Sequence, residues 1–282
     1  MKKALVLYSG GLDSKLTVFL MRNKGYDVEA LHFKLPFGGS RRIRYDAVKF
    51  PRFDIKLTVL DVTRGRLLEE YLEVLKDPKY PRGKGVNPCV DCKIFLFRKA
   101  KEYADKHDIK VIASGEVVGQ RPLSQTIKKM QYIDSEIEFT MYRPLDELGI
   151  RGRQRVKQME LAEEFGIDYP TPGPGCLLCD IELRDRLALL LKKKLISEKT
   201  LPLATTGKHF YIENIWYVVG RNKEENKVLE QYKNTIISGK GKPAVYYHEK
   251  RKSALEQAYL LQNAYSKKGD RQQRRNFEKI RL

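Results

Sequence analysis

Lys3-Ala4-Leu5-Val6-Leu7-Tyr8, running straight into Ser9-Gly10-Gly11-Leu12-Asp13-Ser14, is the stretch on which the fold turns. Six mostly apolar residues read as a buried strand, and the pattern after Ser14 places Leu16, Phe19 and Leu20 on one face of a helix to about residue 23. Between them, Gly10 and Gly11 let the backbone approach a phosphate closely, and Leu12 follows them in the turn. The helix then offers free N–H groups and the positive end of its dipole to an anion. Ser9 and Ser14 add hydroxyl donors. Asp13 would repel phosphate unless it caps the helix or holds Mg²⁺. Two better-known phosphate loops are excluded, since the stretch contains neither GxGxxG nor GxxxxGK followed by Ser or Thr.

Working outward, strands are expected over 28–33, 55–62, 111–114 and 142–145, and helices over 67–75, 92–107 and 154–165. A basic loop with Arg41, Arg42 and Arg44 as phosphate contacts is expected over 34–45, followed by a short helix. Strands alternating with helices predict an α/β fold: an open parallel sheet with helices on both faces, over residues 1–180. From 181 to 282 the rhythm changes. Strands at 210–212, 215–219 and 244–247, with helices at 187–194 and 224–232, predict a small basic α+β domain whose last stretch is helical, then basic and frayed.

The chain of 282 residues carries a net charge of +19, and residues 181–282 hold 23 Lys and Arg against 11 Asp and Glu, most of that excess. Such a surplus suits a polyanionic partner and points to the C-terminal part as a nucleic-acid-facing element. No apolar stretch approaches the roughly 20 residues needed to span a bilayer, so a soluble, cytoplasmic protein with no membrane partner is expected. Size alone suggests a homodimer, since one compact chain offers little surface to span a large nucleic acid.

The four cysteines form two CxxC pairs, Cys89/Cys92 and Cys176/Cys179, expected where β–α connections emerge beside the phosphate loop. In a cytosolic chain, metal binding or catalysis outranks a structural disulfide. A helix N-terminus would lower their thiol pKa and make thiolates available. Zn²⁺ bound by four Cys, an iron–sulfur cluster, and a metal-free redox pair with a persulfide carrier all remain open. His32, His107, His209 and His248 lack metal spacing. Trp216, Tyr246 and Tyr247 could stack on bases, but core packing is their default reading.

The Ser9–Ser14 segment resembles the signature of the PP-loop ATP pyrophosphatases, HUP-like in fold. That resemblance implies cleavage of ATP between the α and β phosphates, with AMP transferred to a carbonyl-type oxygen, pyrophosphate in the glycine loop and Mg²⁺ sharing its charge. A second segment, Ser114-Gly115-Glu116-Val117-Val118-Gly119-Gln120 with Ser124-Gln125-Thr126, is similar to one in the tRNA 4-thiouridine synthetases, as is Arg143-Pro144-Leu145. It implies that Gly115 and Gln120 help bind ATP, that tRNA is the substrate, and that a sulfur donor, sulfide or a persulfide carrier, is a partner. Family analogy favours a 4Fe-4S cluster on Cys89, Cys92 and Cys176, these three together with Asp13 forming the catalytic set, with Cys179 as the alternative third ligand. Val218-Val219-Gly220-Arg221-Asn222-Lys223-Glu224-Glu225-Asn226 looks like a stretch of the RNA-binding module in NFACT proteins. The expected reaction is thiolation of a uridine, with O4 of uridine 8 favoured and 2-thiouridine the sister outcome. A PP-loop amide ligase and a zinc-stabilised, non-catalytic RNA-binding protein are the competing classes.

Overall fold

The structure is a computed structural model, and it describes residues 1–38, 48–50, 53–80, 86–171, 175–180 and 182–282. The chain divides into two compact units, Met1–Asp180 and Ile181–Leu282.

In the first unit, β1 (Lys3–Leu7), α1 (Leu12–Asn23), β2 (Asp27–Lys34), β3 (Val48–Phe50), β4 (Phe53–Asp61), α2 (Gly65–Lys76), α3 (Cys89–Lys106), β5 (Val111–Ser114), α4 (Ile127–Glu136), α5 (Pro144–Glu147) and α6 (Val156–Glu164) follow in order. The sheet runs β3-β4-β2-β1-β5. β1, β2, β4 and β5 are parallel, and only the short β3 is antiparallel. The alternation of β1 decides which helices cover which face. Leu5 packs with Val90, Ile94 and Phe97 of α3 and Ile133 of α4. Ala4 and Val6 pack with Val18 and Met21 of α1. The other side of α1 presents Leu12, Leu16 and Phe19 to Leu145 of α5 and Ala162 of α6. Helices therefore cover both faces, as the α/β reading expected. Because β2 and β5 flank β1 on opposite sides, the strand order reverses at β1. The carboxyl ends of β1 and β5 diverge there, the place where open α/β sheets bind ligands.

Three expectations need correction. Residues 142–145 do not form a strand. Tyr142 makes a single parallel bridge to Ala113, and Pro144, which cannot donate to a ladder, becomes the first residue of α5. In place of a short helix after the basic loop, the described residues show the strand β3. Arg41, Arg42 and Arg44 lie outside the described residues. Finally, the C-terminal stretch is not frayed, as described next.

The second unit contains α7 (Arg184–Lys192), β6 (Lys208–Ile212), β7 (Ile215–Val219), α8 (Lys223–Leu229), β8 (Thr235–Ile236), β9 (Val245–Tyr247), α9 (Lys252–Ala264) and α10 (Arg271–Glu278). Its sheet is antiparallel, in the order β6-β7-β9-β8. Ile215, Tyr217 and Val219 of β7 face Ala254, Ala258 and Leu261 of α9. On the other face, Trp216 is fully buried and donates its indole N–H to His209 Nδ1 at 3.0 Å. Asp270 caps α10 by accepting from the amides of Gln272 and Gln273, and Phe277 then packs edge-on against Phe210. Trp216 and Tyr246 are core residues, so neither ring is free to stack on a base. The Gly220–Asn226 stretch is used internally. Asn222 caps α8 through the Glu225 amide, Arg221 pairs with Glu225, and Asn226 Oδ1 accepts from Ala244 N at 3.0 Å. A Cβ on Gly220 would lie 2.1 Å from Asn226 Oδ1, which accounts for the glycine.

Candidate active site

The loop after β1 is built by its own small side chains. Gly10 has φ +78°, a conformation that favours glycine. Ser14 Oγ donates to Gly11 O at 2.8 Å, and Ser9 Oγ lies 3.3 Å from Ser14 Oγ. Gly11 precedes α1 with no side-chain cap, so among the described residues no side chain at that position takes up the amides of the first turn. Leu12 points away from the loop into the core, at 1% exposure.

The segment after β5 closes on this loop. A Cβ on Gly115 would come within 2.7 Å of the Asp13 carbonyl carbon and oxygen and 2.9 Å of Ser14 N, so the two backbones touch only because residue 115 is glycine. Gln120 Nε2 donates to Asp13 Oδ2 at 3.0 Å. Among the described residues, the other carboxylate oxygen, Asp13 Oδ1, is buried with no hydrogen-bond partner, and so is Gln125 Oε1. A buried acceptor left unbonded is costly, and one beside free helix amides suits a divalent cation or a ligand donor. The Asp13 carboxylate thus fits the Mg²⁺ expected there. Ser9, Gly10, Gly11, Asp13, Ser14, Gly115 and Gln120 share one neighbourhood.

Glu116 carries the second feature. It is 6% exposed and held by Lys93 of α3 and by Arg143 Nε at 3.0 Å. Arg143 also grips Asp134 of α4 with two nitrogens, at 2.6 and 2.7 Å. Burial alone would raise the Glu116 pKa, but the positive charges of Lys93 and Arg143 outweigh it and hold the carboxyl below its usual range. Lys93 was not foreseen. Nothing in its local pattern marks it, since its partner lies 23 residues away and meets it only through the sheet.

Lys93 also follows Cys92 directly, tying this network to the thiols. The two CxxC pairs converge. Cys89 Sγ lies 3.6 Å from Cys179 Sγ, and Cys92 Sγ lies 3.2 Å from the Tyr71 hydroxyl of α2. The second pair is anchored beyond the carboxyl end of β2, where Leu177 N donates to Phe37 O at 3.0 Å. Asp91 fixes the entry to α3 by accepting from the amides of Lys79 and Tyr80. The expectation of lowered thiol pKa values fails for Cys89 and Cys92. The Cys179 thiol and burial push Cys89 up, and burial pushes Cys92 up to about 11. Only Cys176 is lowered, chiefly by a hydrogen bond from Cys179. The hydrogen bond with Cys179 is the largest cause at Cys89, and desolvation is the largest at Cys92. Thiols from the two pairs thus lie near one another, and thiolates are the donors that soft metals prefer. Among the described residues, no group of three or more His, Cys, Asp or Glu is arranged to hold a metal ion as it stands.

A cleft of about 360 Å³ lies at the opposite end of the strands, lined by Lys3, Asp27, Glu29 and Lys56 toward the amino ends of β1, β2 and β4. It shares no residue with either motif. Among the described residues, no helix is long and apolar enough to cross a membrane.

A family model described as ThiI, thiamine biosynthesis protein, matches residues 1–167. A probable tRNA sulfurtransferase of Methanocaldococcus jannaschii is 29% identical over 164 residues, covering 58% of this chain and 40% of that protein. A tRNA-specific 2-thiouridylase, MnmA 1 of Aliarcobacter butzleri, is 31% identical over 121 residues, covering 40% of this chain and 34% of that protein. A solved structure, that of a 4-thiouridine synthetase–RNA complex with bound ATP, matches with a TM-score of 0.46 and 20% identity, over 72% of this chain and 52% of that one. The chain thus spans 40% or less of the length of these two curated relatives.

Proposed function

Because the chain belongs to the ThiI family, we propose that it is an ATP-dependent tRNA sulfurtransferase that adenylates a uridine carbonyl oxygen and replaces that oxygen with sulfur. The observation that carries this reading is the contact of Gly115 with Asp13 and Ser14. It joins the phosphate loop to the Glu116–Lys93 pair, and Lys93 adjoins the thiols.

The pyrophosphate end of ATP would lie against the Gly10–Gly11 backbone and the free amides of α1, with Asp13 Oδ1 holding Mg²⁺. The uridine oxygen attacks the α phosphorus, the α–β bridging bond breaks, and pyrophosphate leaves. A sulfur nucleophile then adds at the activated ring carbon: either sulfide directly, or the outer sulfur of a carrier persulfide, whose S–S bond a second thiolate afterwards breaks to leave a disulfide on the carrier and the thiocarbonyl on the base. The C–O bond breaks and AMP departs with the former carbonyl oxygen. Preorganised backbone donors facing the developing phosphate charge supply the electrostatic part of such a step. Cys89, Cys92 and either Cys176 or Cys179 would hold a 4Fe-4S cluster, which when bound supplies a thiophilic iron for sulfide. The second unit, with most of the chain's positive excess, would bind the tRNA.

O4 of uridine 8, giving 4-thiouridine, is the favoured target. The similarity to a 2-thiouridylase keeps 2-thiouridine as a second reading. Mass spectrometry of tRNA nucleosides from a strain lacking this chain separates them. Loss of 4-thiouridine is expected, loss of 2-thiouridine alone would select the second reading, and unchanged thionucleosides would remove both.

A further inference from the structure

We propose that the corner of the second unit formed by the β8–β9 turn and the α9–α10 turn is a preformed docking surface for the phosphate backbone of RNA. This rests on the reading that the chain acts on tRNA, and it names the surface that would hold it.

Two turns are locked together there. Gly239 and Lys242 exchange backbone hydrogen bonds at 3.1 and 2.8 Å, closing the first turn. Lys267 N donates to Gly241 O at 2.8 Å, joining it to the second, and Lys242 Nζ reaches Asn263 Oδ1 at 3.0 Å. The second turn is held by Arg274, whose guanidinium donates to Ala264 O at 2.9 Å and Ser266 O at 2.7 Å. A Cβ on Gly269 would lie 2.3 Å from Asn263 O, so the chain there has no slack. Binding to such a corner would cost little in backbone ordering.

Among the described residues, the cations of this corner are not ion-paired, although the carboxylates of Asp270 and, at Ser238, of Glu230 lie beside them. Lys240, Lys242, Lys267, Lys268 and Arg271 are all exposed, and none takes part in an ion pair among the described residues. Elsewhere in the unit Arg221, Arg251, Arg281 and Lys208 each hold a carboxylate. The acid in the second turn, Asp270, is engaged in capping α10. Cations left unpaired on a rigid support are free to displace the counterions of a phosphodiester chain. They carry no base-reading geometry, so the contact should be insensitive to sequence.

The test is tRNA binding by the full chain across a salt series, comparing wild type, the triple variant Lys240→Gln/Lys267→Gln/Lys268→Gln, and a control of equal charge change, Lys199→Gln/Lys233→Gln/Lys250→Gln. The control changes exposed lysines outside the two turns, and the thermal midpoint of each variant establishes that it is folded. The triple variant is expected to bind about 10-fold or more weakly, with its log K against log salt slope flatter by about 2 to 3, while the control keeps the wild-type slope. If the wild type binds tRNA and the triple variant keeps its affinity and slope, this surface is wrong and the function stands. Wild-type chain with no affinity for tRNA would overturn both.

Discussion

Gly115 and Asp13 are where two distant pieces of sequence become one site. The Gly115 contact involves backbone atoms on both sides, so neither can rotate away. Gly115→Ala should destabilise the first unit by about 1–3 kcal/mol through overpacking and should abolish pyrophosphate release. Near-normal melting and turnover would mean that the two segments are not pressed together. Asp13 makes the complementary case. Asp13→Asn can keep the contact with Gln120 while removing the negative charge at Oδ1. Melting should be unchanged, but Mg²⁺-dependent turnover should fall by about 100-fold or more. Activity retained at saturating Mg²⁺ would remove Asp13 from the cation's environment. Residue identity was the most legible level around residues 9–14 and 114–126, where glycines and small polar residues cluster for backbone reasons. It was least legible at Lys93, whose role depends on a partner that only the fold supplies, and in the thiols, whose burial local spacing does not reveal.

Elements were legible where apolar periodicity was strong, as in β1, α1, α3 and β7. They were lost where one residue changed the outcome. Pro144 turned an apolar-flanked run into the start of α5. α4 was missed although Met130, Ile133 and Ile137 recur at helical spacing, because Lys128, Lys129 and Gln131 diluted the signal. α10 looked like a frayed basic tail because, of its eight residues, only Phe277 is apolar. That ring holds the helix against Phe210 and Tyr265. Phe277→Ala should therefore cost the second unit about 2 kcal/mol, measured as a lower urea midpoint. An unchanged midpoint would return α10 to the status of an appendage.

At the scale of the whole molecule, the two units can be followed separately, because the chain's single tryptophan, Trp216, lies in the second. Its partner His209 is fully buried and accepts the indole proton, so its ring is neutral, and burial, with the charge of Arg186 beside it, depresses its pKa well below the ordinary histidine value. The unfolded chain therefore takes up a proton that the folded one refuses. Stability of the second unit should be full above about pH 7 and fall by up to about 1.4 kcal/mol per pH unit below pH 6.5. His248, depressed mainly by burial, adds to the loss in the same direction. Trp216 fluorescence in urea at pH 7.5 and pH 5 measures it, and His209→Gln should shrink the difference. A pH-independent midpoint would contradict the buried neutral ring.

The central claim, that the loop between β1 and α1 directs ATP cleavage between its α and β phosphates for transfer to tRNA, is tested most directly by product analysis. The purified chain is incubated with ATP, Mg²⁺, a sulfide source and thiolation-deficient tRNA, and the nucleotide products are separated. The account predicts AMP and pyrophosphate in equal amounts, dependent on tRNA and matched by thionucleoside formed. ADP with inorganic phosphate, or no nucleotide turnover under these conditions, would contradict it.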